Sequence, residues 1–433
     1  MKEFSDKKTL EKILPTIKVH FDEIKKSESS KKMFVSVGYP DYDEKEIMAA
    51  LEALIGLHIS QGKYVKEFEA LFSQYMGIKH AIAVNSGSSA NLLAVSALIE
   101  NKDLKAGDEV IVPAATFPTV ASPLLQLGLV PVFVDVEKKS YNIDPTEIRK
   151  GISKKTKMIM PVHSLGNPCE MMEIMEIAQE NNLKVLEDCC EAHGSKIGNI
   201  MVGSFGDLST ISLFVAHNIT TGEGGVVFTN NDEYESLARS LREFGRISQN
   251  IGRFAYEDKY LGNYDKRYVF LKLGYNLRMT DIAASIGIQQ LKKLDKVNDK
   301  RISNTNYYTK KLAEFEELLG LPETKKGNKH TFYAYPITIK KNAPFGRNEM
   351  AKFLEEQNIE TRPFFAGCLP DQPAFREKPH RVVGDLMVSR RIRDRTLFIG
   401  CHQKLGSNET NYVVKKISEF IESKRKKFQN KGM

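Results

Sequence analysis

HAIAVNSGSSANLLAVSALI, residues 80–99, is the stretch that decides the fold of this chain. The apolar run HAIAVN (80–85) predicts a short β-strand, and SGSSANLLAVSALI (86–99) predicts a glycine turn that opens a helix. A strand that passes through a tight turn into a helix is the repeating unit of α/β proteins.

The same alternation continues along the chain. Strands are predicted at 80–85, 108–114, 130–136, 156–163, 183–188 and 224–230, with helical stretches between several of them. The run VPVFVDV (130–136) is apolar throughout, which is typical of strands that are buried on both faces. We therefore predict an α/β fold in which helices cover both faces of a mainly parallel sheet.

The two ends of the chain differ from this middle part. Helices are predicted at 43–56, 65–77, 279–315 and 347–359, and a further strand at 329–340. The pattern after about residue 300 indicates a smaller α+β unit. We predict an N-terminal extension (1–40), a large domain (41–300) and a small C-terminal domain (301–433).

Composition indicates an ordinary soluble protein. Of the 433 residues, 41% are hydrophobic and 27% are charged, and no run approaches the roughly 18 consecutive apolar residues of a membrane helix. The N-terminus, MKEFSDKKTLEKILPTIKVHF, has no apolar signal region. We therefore expect a cytoplasmic protein with no membrane partner.

The formal net charge is +8, with basic clusters at 25–32 (KKSESSKK) and 424–431 (KRKKFQNK). Such clusters either contact nucleic acid or anionic lipid, or lie on the solvated ends of terminal helices. Aromatic residues are not interleaved with them as they are in RNA-binding motifs. We favour the solvated ends and expect no nucleic-acid partner.

Cysteine usage suits a reducing compartment. An odd number with one adjacent pair does not form a disulfide framework, and the absence of any CxxC pair argues against a zinc site. We therefore predict no metal site. The five cysteines are Cys169, Cys189, Cys190, Cys368 and Cys401.

Two strand ends carry candidate binding groups. Gly87, Ser88 and Ser89 lie where a strand turns into a helix, so free N–H groups and the helix dipole offer a seat for phosphate; a serine-rich N-cap is the alternative. In LEDCCEAHGS (186–195) an apolar strand delivers Asp188 to its carboxyl end. A carboxylate there either caps a turn or keeps a pyridoxal ring nitrogen protonated.

The stretch SLFVAHNITTGEGG (212–225) reads as a strand end, a turn and a glycine-rich return. Ser212 is a candidate phosphate ligand. His217 lies in a polar turn and not on an apolar face, which favours a functional over a structural role. Asn276 and Arg278, in GYNLRMTDIAASIGIQQL (274–291), precede a predicted helix and are either site residues or an ordinary polar turn.

Together these motifs resemble the DegT/DnrJ/EryC1/StrS family of sugar aminotransferases over roughly residues 40–415. The resemblance implies the aspartate aminotransferase-like fold type I of pyridoxal phosphate enzymes, with a seven-stranded, mainly parallel sheet in the large domain and a smaller α+β C-terminal domain. In that family the glycine–serine turn and the counterpart of Ser212 hold the cofactor phosphate. The counterpart of Phe117 stacks on the cofactor ring, and that of Asp188 pairs with the ring nitrogen.

Four further positions follow from the resemblance. Glu191 stands where the family usually has a cofactor-binding glutamine. The counterpart of Asn276 reaches the cofactor phosphate of the neighbouring subunit, which implies a homodimer with a shared active site. Arg278 and Arg362 are predicted to contact the substrate.

His217 is the decisive departure, because the aminotransferases carry a lysine there that attaches the cofactor covalently. Within the family a subgroup also keeps a histidine: the 3-dehydratases of CDP-linked or GDP-linked 4-keto-6-deoxy sugars. FVAHNIT, GEGG, GYNLRMTD and TRPFFAG resemble that subgroup. The resemblance implies that pyridoxamine phosphate is the working cofactor, that His217 is a general base, and that the 3-hydroxyl of the sugar leaves.

The CDP-linked type carries an iron–sulfur cluster on four cysteines and works with a reductase. Cys190 stands at the first of those positions, but residues 243–262 contain no cysteine. Since a cluster needs several thiolates, we predict none, which argues against a reductase partner and favours re-amination by glutamate. The alternatives are a reductase-coupled dehydrase, an aminotransferase that uses another lysine such as Lys196, and a binding protein without activity.

Overall fold

The computed structural model describes residues 7–28, 33–247 and 268–429. The basic clusters and the segment 243–262 lie partly outside the described residues. The strands are β1 (His80–Val84), β2 (Glu109–Pro113), β3 (Val130–Val134), β4 (Thr156–Ile159), β5 (Lys184–Asp188), β6 (Lys196–Ile197), β7 (Ile200–Met201), β8 (Leu208–Ser212), β9 (Gly225–Thr229), β10 (Leu319–Gly320), β11 (Asn328–Lys329), β12 (Tyr335–Ile339), β13 (Thr361–Pro363), β14 (Arg381–Val382) and β15 (Thr396–Ile399).

Helices fill most of the intervals between these strands. None of those within the described ranges combines the length and the apolar character that crossing a bilayer requires. The α-helices are Lys7–Glu28, Glu44–Ile55, Lys63–Met76, Gly87–Glu100, Ser122–Gln126, Pro145–Gly151, Met171–Glu180, Asp232–Arg242, Asp281–Leu291, Leu294–Leu312, Arg347–Glu356, Pro373–Arg376, Met387–Arg395 and Ser407–Gln429.

The large sheet has the order β1-β9-β8-β5-β4-β2-β3-β14 in the described part of the chain. β9 runs antiparallel to both of its neighbours, whereas the pairs from β8 to β14 are parallel. The predicted mainly parallel α/β sheet is therefore confirmed. Its residues alternate between the faces, because Val110 and Val112 pack in one apolar cluster and Ile111 packs in another.

The sheet has one strand more than the predicted seven. β14, from the C-terminal part of the chain, pairs with Val132 and Phe133 of β3 and so covers what would otherwise be an open edge. An ion pair between Arg381 and Glu109 (Nη2–Oε2 2.8 Å) holds it there. A two-residue strand is too short to leave a periodic signal in the sequence.

A second sheet, β10-β12-β15-β13, is antiparallel throughout its described strands. Helices Arg347–Glu356 and Ser407–Gln429 pack on it around a core that includes Tyr335, Ile337 and Ile417. This is the expected α+β arrangement, while the exact boundary at 300 stays a prediction.

Two predicted elements are each divided in the structure. The stretch 279–315 forms two helices that meet at residues 292–293. The predicted strand 329–340 is interrupted, since β11 pairs with β6 and β12 joins the second sheet. Residues 330–334 leave one sheet to reach the other, and this path brings Tyr333 to the site described next.

Candidate active site

A cavity of about 660 Å³ opens at the carboxyl ends of β5 and β8. Its walls come from the loops of the large sheet, from residues 37–40, and from the C-terminal part around Phe365 and Phe398. Ligands of open α/β sheets bind at this edge. Eight of the predicted site residues line it: Gly87, Ser88, Phe117, Asp188, Glu191, Ser212, His217 and Arg362.

The N-terminus of helix Gly87–Glu100 forms one wall of the cavity. Its N-cap is Ser86, whose Oγ accepts a hydrogen bond from the backbone N–H of Ser89 at 3.1 Å. Ser86, Gly87 and Ser88 line the cavity, whereas Ser89 is not among its lining residues. The part of this turn that faces the cavity thus begins at Ser86, one residue before the predicted phosphate seat, and the binding of phosphate there stays a prediction.

Gly87 lies directly against the end of β8. A Cβ atom on Gly87 would lie 2.5 Å from Cβ and 2.8 Å from Oγ of Ser212, so only glycine fits this approach. The helix N-terminus and the Ser212 hydroxyl are therefore next to each other. Together they form a cradle for an anionic group.

Asp188, only 4% exposed, has both carboxylate oxygens fixed. Oδ1 accepts from the backbone N–H of Cys190 at 3.0 Å, and Oδ2 accepts from Nδ2 of Asn91 at 2.9 Å. Asn91 is held in turn by the hydroxyl of Thr210, which donates to its Oδ1 at 2.6 Å. Sequence reasoning missed Asn91, although its place one helical turn after Gly87 puts it on the same side of the helix.

Glu191 accepts a hydrogen bond from the backbone N–H of Leu165 at 2.6 Å. Its carboxyl group is enclosed by protein, although the residue keeps some surface toward the cavity. Burial, with a smaller contribution from the charge of Asp188, raises the pKa of Glu191 to about 8, against the opposing effect of the Leu165 hydrogen bond. Glu191 is therefore mainly protonated near neutral pH and can donate a hydrogen bond, as the amide of glutamine does.

His217 is 9% exposed and lies in a turn closed by its own N–H, which donates to the carbonyl of Phe214 at 3.0 Å. The ring of Tyr333 packs beside the imidazole with centroids 5.1 Å apart. Burial, followed by the proximity of His193 and Arg301, holds the pKa of His217 well below its ordinary value. The imidazole is therefore neutral and able to accept a proton.

Phe117 and Arg362 lie at the rim of the cavity. Phe117 is 53% exposed and meets Phe365 edge to face, with ring centroids 6.4 Å apart. Arg362 forms an ion pair with Glu360, whose other oxygen accepts from the backbone N–H of Val37 at 2.8 Å. An exposed aromatic ring and a guanidinium are therefore available for contact with a ligand at the entrance of the cavity.

Asn276 and Arg278 are not among the residues that line the cavity of their own chain. Arg278 donates from Nε to Oδ1 of Asn276 at 3.0 Å, and its guanidinium lies 5.3 Å from the ring centre of Phe244. The roles of both residues remain predictions. The role predicted for Asn276 requires a second subunit, and the role predicted for Arg278 requires a bound substrate.

Comparison with known proteins fits this geometry. The profile of the DegT/DnrJ/EryC1/StrS aminotransferase family matches residues 40–418. The chain belongs to this family. The match confirms the predicted resemblance and its extent.

Individual members of the family are similar over most of their length. The lipopolysaccharide biosynthesis protein RfbH of Salmonella typhimurium is 40% identical over 393 residues, which cover 87% of this chain and 89% of that protein. The dTDP-4-dehydro-2,6-dideoxy-D-glucose 3-dehydratase of Saccharopolyspora spinosa is 39% identical over 393 residues, which cover 88% and 85%.

A solved structure shows the same fold. It is GDP-4-keto-6-deoxymannose-3-dehydratase with a trapped PLP-glutamate geminal diamine, with a TM-score of 0.82 at 29% identity, covering 88% of this chain and 99% of that one. The predicted fold type is therefore confirmed. Some of these similar proteins are named as 3-dehydratases, whereas the family is named for aminotransferases. Membership of the family therefore leaves both reactions open.

In the present protein, no lysine is among the described residues that line the cavity. Lys196, the alternative considered from sequence, lies in β6 opposite Met201 and Lys329, and it does not line the cavity. The described wall around His217 therefore offers an imidazole and no primary amine.

His163, Glu187 and Cys189 form the only group of three potential metal ligands within the described ranges. Glu187 already accepts from the backbone N–H groups of residues 203, 205 and 206, and His163 Nε2 lies 3.2 Å from it. Because Nδ1 of His163 accepts from the backbone N–H of Cys169, Nε2 carries the hydrogen and donates to Glu187. These contacts identify a structural network in the core. With a single cysteine the group is no cluster site, and the absence of an iron–sulfur cluster stays a prediction.

Proposed function

We propose that this protein is a 3-dehydratase that removes the C3 hydroxyl of a nucleotide-linked 4-keto-6-deoxy sugar with pyridoxamine phosphate as cofactor. The observation that carries the proposal is the buried, neutral imidazole of His217, in a cavity whose described walls lack a lysine. A family aminotransferase needs an amine at that place. Two similar proteins named as 3-dehydratases support the same reaction.

The cavity fits the cofactor group by group. The helix N-terminus at Gly87 and the hydroxyl of Ser212 would hold its phosphate, because the absence of a Cβ at residue 87 lets Ser212 lie directly against the free N–H groups of the helix. Asp188, fixed by Asn91, would pair with the ring nitrogen. Phe117 would cover the ring, and the protonated Glu191 would donate to an oxygen on it.

Bound pyridoxamine phosphate supplies an amine that joins the sugar's 4-keto group and a ring that accepts electrons. The chain's own part is proton transfer and exclusion of water. His217 accepts a proton on its free ring nitrogen as general base, and then donates that proton to the departing 3-hydroxyl. Phe214 and Tyr333 pack against the imidazole and limit the access of water.

The reaction would also need an amino donor and a second subunit. Glutamate would restore the amine of the cofactor without a reductase, in keeping with the PLP-glutamate species trapped in the solved relative. A homodimer would bring Asn276 of one subunit to the cofactor phosphate of the other. The similarity to a lipopolysaccharide biosynthesis protein supports deoxysugar synthesis for surface polysaccharide as the role of this reaction, and the cytoplasm is the proposed location.

The test is incubation of the purified protein with pyridoxamine phosphate, glutamate and a panel of CDP-, GDP- and dTDP-linked 4-keto-6-deoxy sugars. Mass spectrometry should show loss of the 3-hydroxyl from one of them, with consumption of glutamate and no electron donor. A product that gains an amino group at C4 and keeps its 3-hydroxyl would identify an aminotransferase instead. Turnover that requires a reductase and NAD(P)H would identify the reductase-coupled dehydrase.

A further inference from the structure

Five buried polar atoms around His217 have no hydrogen-bond partner within the part of the chain that the structure describes. Buried polar groups in native proteins are almost always paired with protein or with ordered water. Several unpaired atoms in one place therefore indicate a site for bound water. The five are Nδ1 of His193, Nδ1 of His217, Oδ1 of Asn218, and Nε and Nη2 of Arg301.

Ring contacts and hydrogen bonds place these atoms in one region. The rings of His193 and His217 have centroids 5.5 Å apart. Asn218 donates from Nδ2 to Oδ1 of Asn298 at 2.7 Å, and Asn298 donates from Nδ2 to the carbonyl of His193 at 2.8 Å. Arg301 follows Asn298 by one helical turn and donates from Nη1 to the carbonyl of Tyr333 at 2.9 Å, and the ring of Tyr333 packs beside His217.

Hydrogen bonds already fix what two of these groups can offer. Nε2 of His193 lies 2.7 Å from the carbonyl oxygen of Ser212, which can only accept, so Nε2 carries the ring hydrogen and Nδ1 is a bare acceptor. Nδ2 of Asn218 donates to the carbonyl of Thr331 at 3.0 Å, which fixes the amide and leaves Oδ1 as an acceptor. Arg301 has only donors, of which Nη1 is used by the carbonyls of Phe332 and Tyr333, and its guanidinium also lies beside the thiol of Cys401.

We propose that one buried water joins these groups, and that through it His193 fixes His217 in the tautomer with its ring hydrogen on Nδ1. A water molecule has two hydrogens and two lone pairs. The acceptors on His193 and Asn218 take both hydrogens, and the adjacent Nε–H and Nη2–H groups of Arg301 share one lone pair as a fork. The other lone pair can then only accept, so Nδ1 of His217 must be a donor.

This assignment leaves Nε2 of His217 as the nitrogen with a free lone pair. It rests on the proposed function for its catalytic consequence: Nε2 is the atom that would accept the proton and pass it to the departing 3-hydroxyl. His193 does not line the cavity, so it is a positioning residue that acts through His217. The other ionisable groups near the imidazole are Arg301, which opposes its protonation, and Tyr333, whose ring packs on it.

The first test is long-range ¹H–¹⁵N NMR of the histidine rings in the full chain without substrate. Signals are assigned by their loss in His217→Asn and in His193→Gln. His217 should show a protonated Nδ1 and an unprotonated Nε2, and His193 the reverse. A protonated Nε2 on His217 in the native protein overturns the proposal.

The second test compares two substitutions of His193. His193→Leu removes both of its hydrogen bonds, whereas His193→Gln keeps a donor for Ser212 and an acceptor for the water. We expect His193→Leu to give mixed tautomers at His217 and to lower kcat at least about tenfold with little change in KM, and His193→Gln to retain both properties. Equal tautomer populations at His217 in the two variants and the native protein would refute a role for His193.

The NMR outcome separates this inference from the proposed function. If the tautomers are as stated but no sugar is dehydrated, the proposed function fails and the assignment stands. If dehydration occurs with the opposite tautomer, the proposed function stands and the assignment fails. Should His193→Leu not fold, the native spectrum and that of His193→Gln decide the matter.

Discussion

Asn91 holds Asp188 by a hydrogen bond of 2.9 Å between Nδ2 and Oδ2, across 97 positions of sequence. This bond joins the helix Gly87–Glu100 to the carboxyl end of β5 in the wall of the cavity. Both side chains are buried, and the opposite oxygen of Asp188 is occupied by a backbone N–H. The carboxylate therefore has a single defined orientation when a ligand arrives.

Replacement of this asparagine should weaken cofactor binding. Asn91→Leu leaves a buried carboxylate oxygen without its donor, a loss worth roughly 1–3 kcal/mol, so cofactor affinity should fall about 5- to 150-fold. Absorbance titration with pyridoxal phosphate measures it. Thr210→Val is the matched control, because it removes the hydroxyl that donates to Asn91 but keeps the bond to Asp188, and it should cost less. Equal effects of the two would mean that orientation of Asp188 is not what binds the cofactor.

The glycine at the helix N-terminus should tolerate no side chain. Gly87→Ala places a methyl group 2.5 Å from Cβ of Ser212, and we expect a loss of about 1–3 kcal/mol in the free energy of unfolding together with weaker cofactor binding. Urea denaturation and the same titration report the two effects. Gly346→Ala is the control, because no atom lies within 4 Å of the added Cβ. Unchanged phosphate-dependent binding in Gly87→Ala would contradict the cradle.

Glu191 should make stability fall as pH rises. The pKa of Glu191 is raised from 4.5 to about 8 by burial, so between these values the folded protein binds a proton that the unfolded chain has lost. The free energy of unfolding then decreases by up to about 1.4 kcal/mol per pH unit in this window and levels off above it. Glu191→Gln removes this titrating group. The free energy of unfolding of Glu191→Gln minus that of the native protein should therefore increase from pH 5 to pH 8.

Urea denaturation at three pH values in that window measures the difference. Glu314→Gln, on an exposed side chain, is the matched control and should show no such growth. A constant difference between Glu191→Gln and the native protein would show that Glu191 is ionised throughout. In that case the carboxyl group would not act as a hydrogen-bond donor near neutral pH.

Substitution of His217 should separate binding from chemistry. His217→Asn keeps a polar side chain without a basic nitrogen, so we expect kcat for dehydration to fall by roughly 10²–10⁴ while cofactor affinity changes little. His217→Lys should also lose dehydration, and borohydride should trap a lysine adduct with the cofactor. Steady-state kinetics and intact-mass measurement follow the two variants. Full dehydration by either one would exclude His217 as the base.

Sequence patterns predicted the fold because they are local. Apolar runs such as 130–136 alternate with helices, and this alternation predicts a parallel sheet even when the order of the strands is unknown. It also placed Asp188 and Ser212 each at the end of a strand, but only the structure shows that these strands, β5 and β8, are parallel neighbours. The short β14 and the interruption of the strand predicted at 329–340 escaped it, because both depend on pairing between distant segments.

The sequence by itself determined which residue types stand at the ends of the strands, above all the imidazole at 217. Only the tertiary structure decided their chemical state. The pKa of Glu191 depends on burial and on Asp188, and the pKa of His217 depends on burial, on His193 and on Arg301, which lies in the helix Leu294–Leu312. Desolvation and hydrogen bonding act through space, and the packing of distant segments sets them.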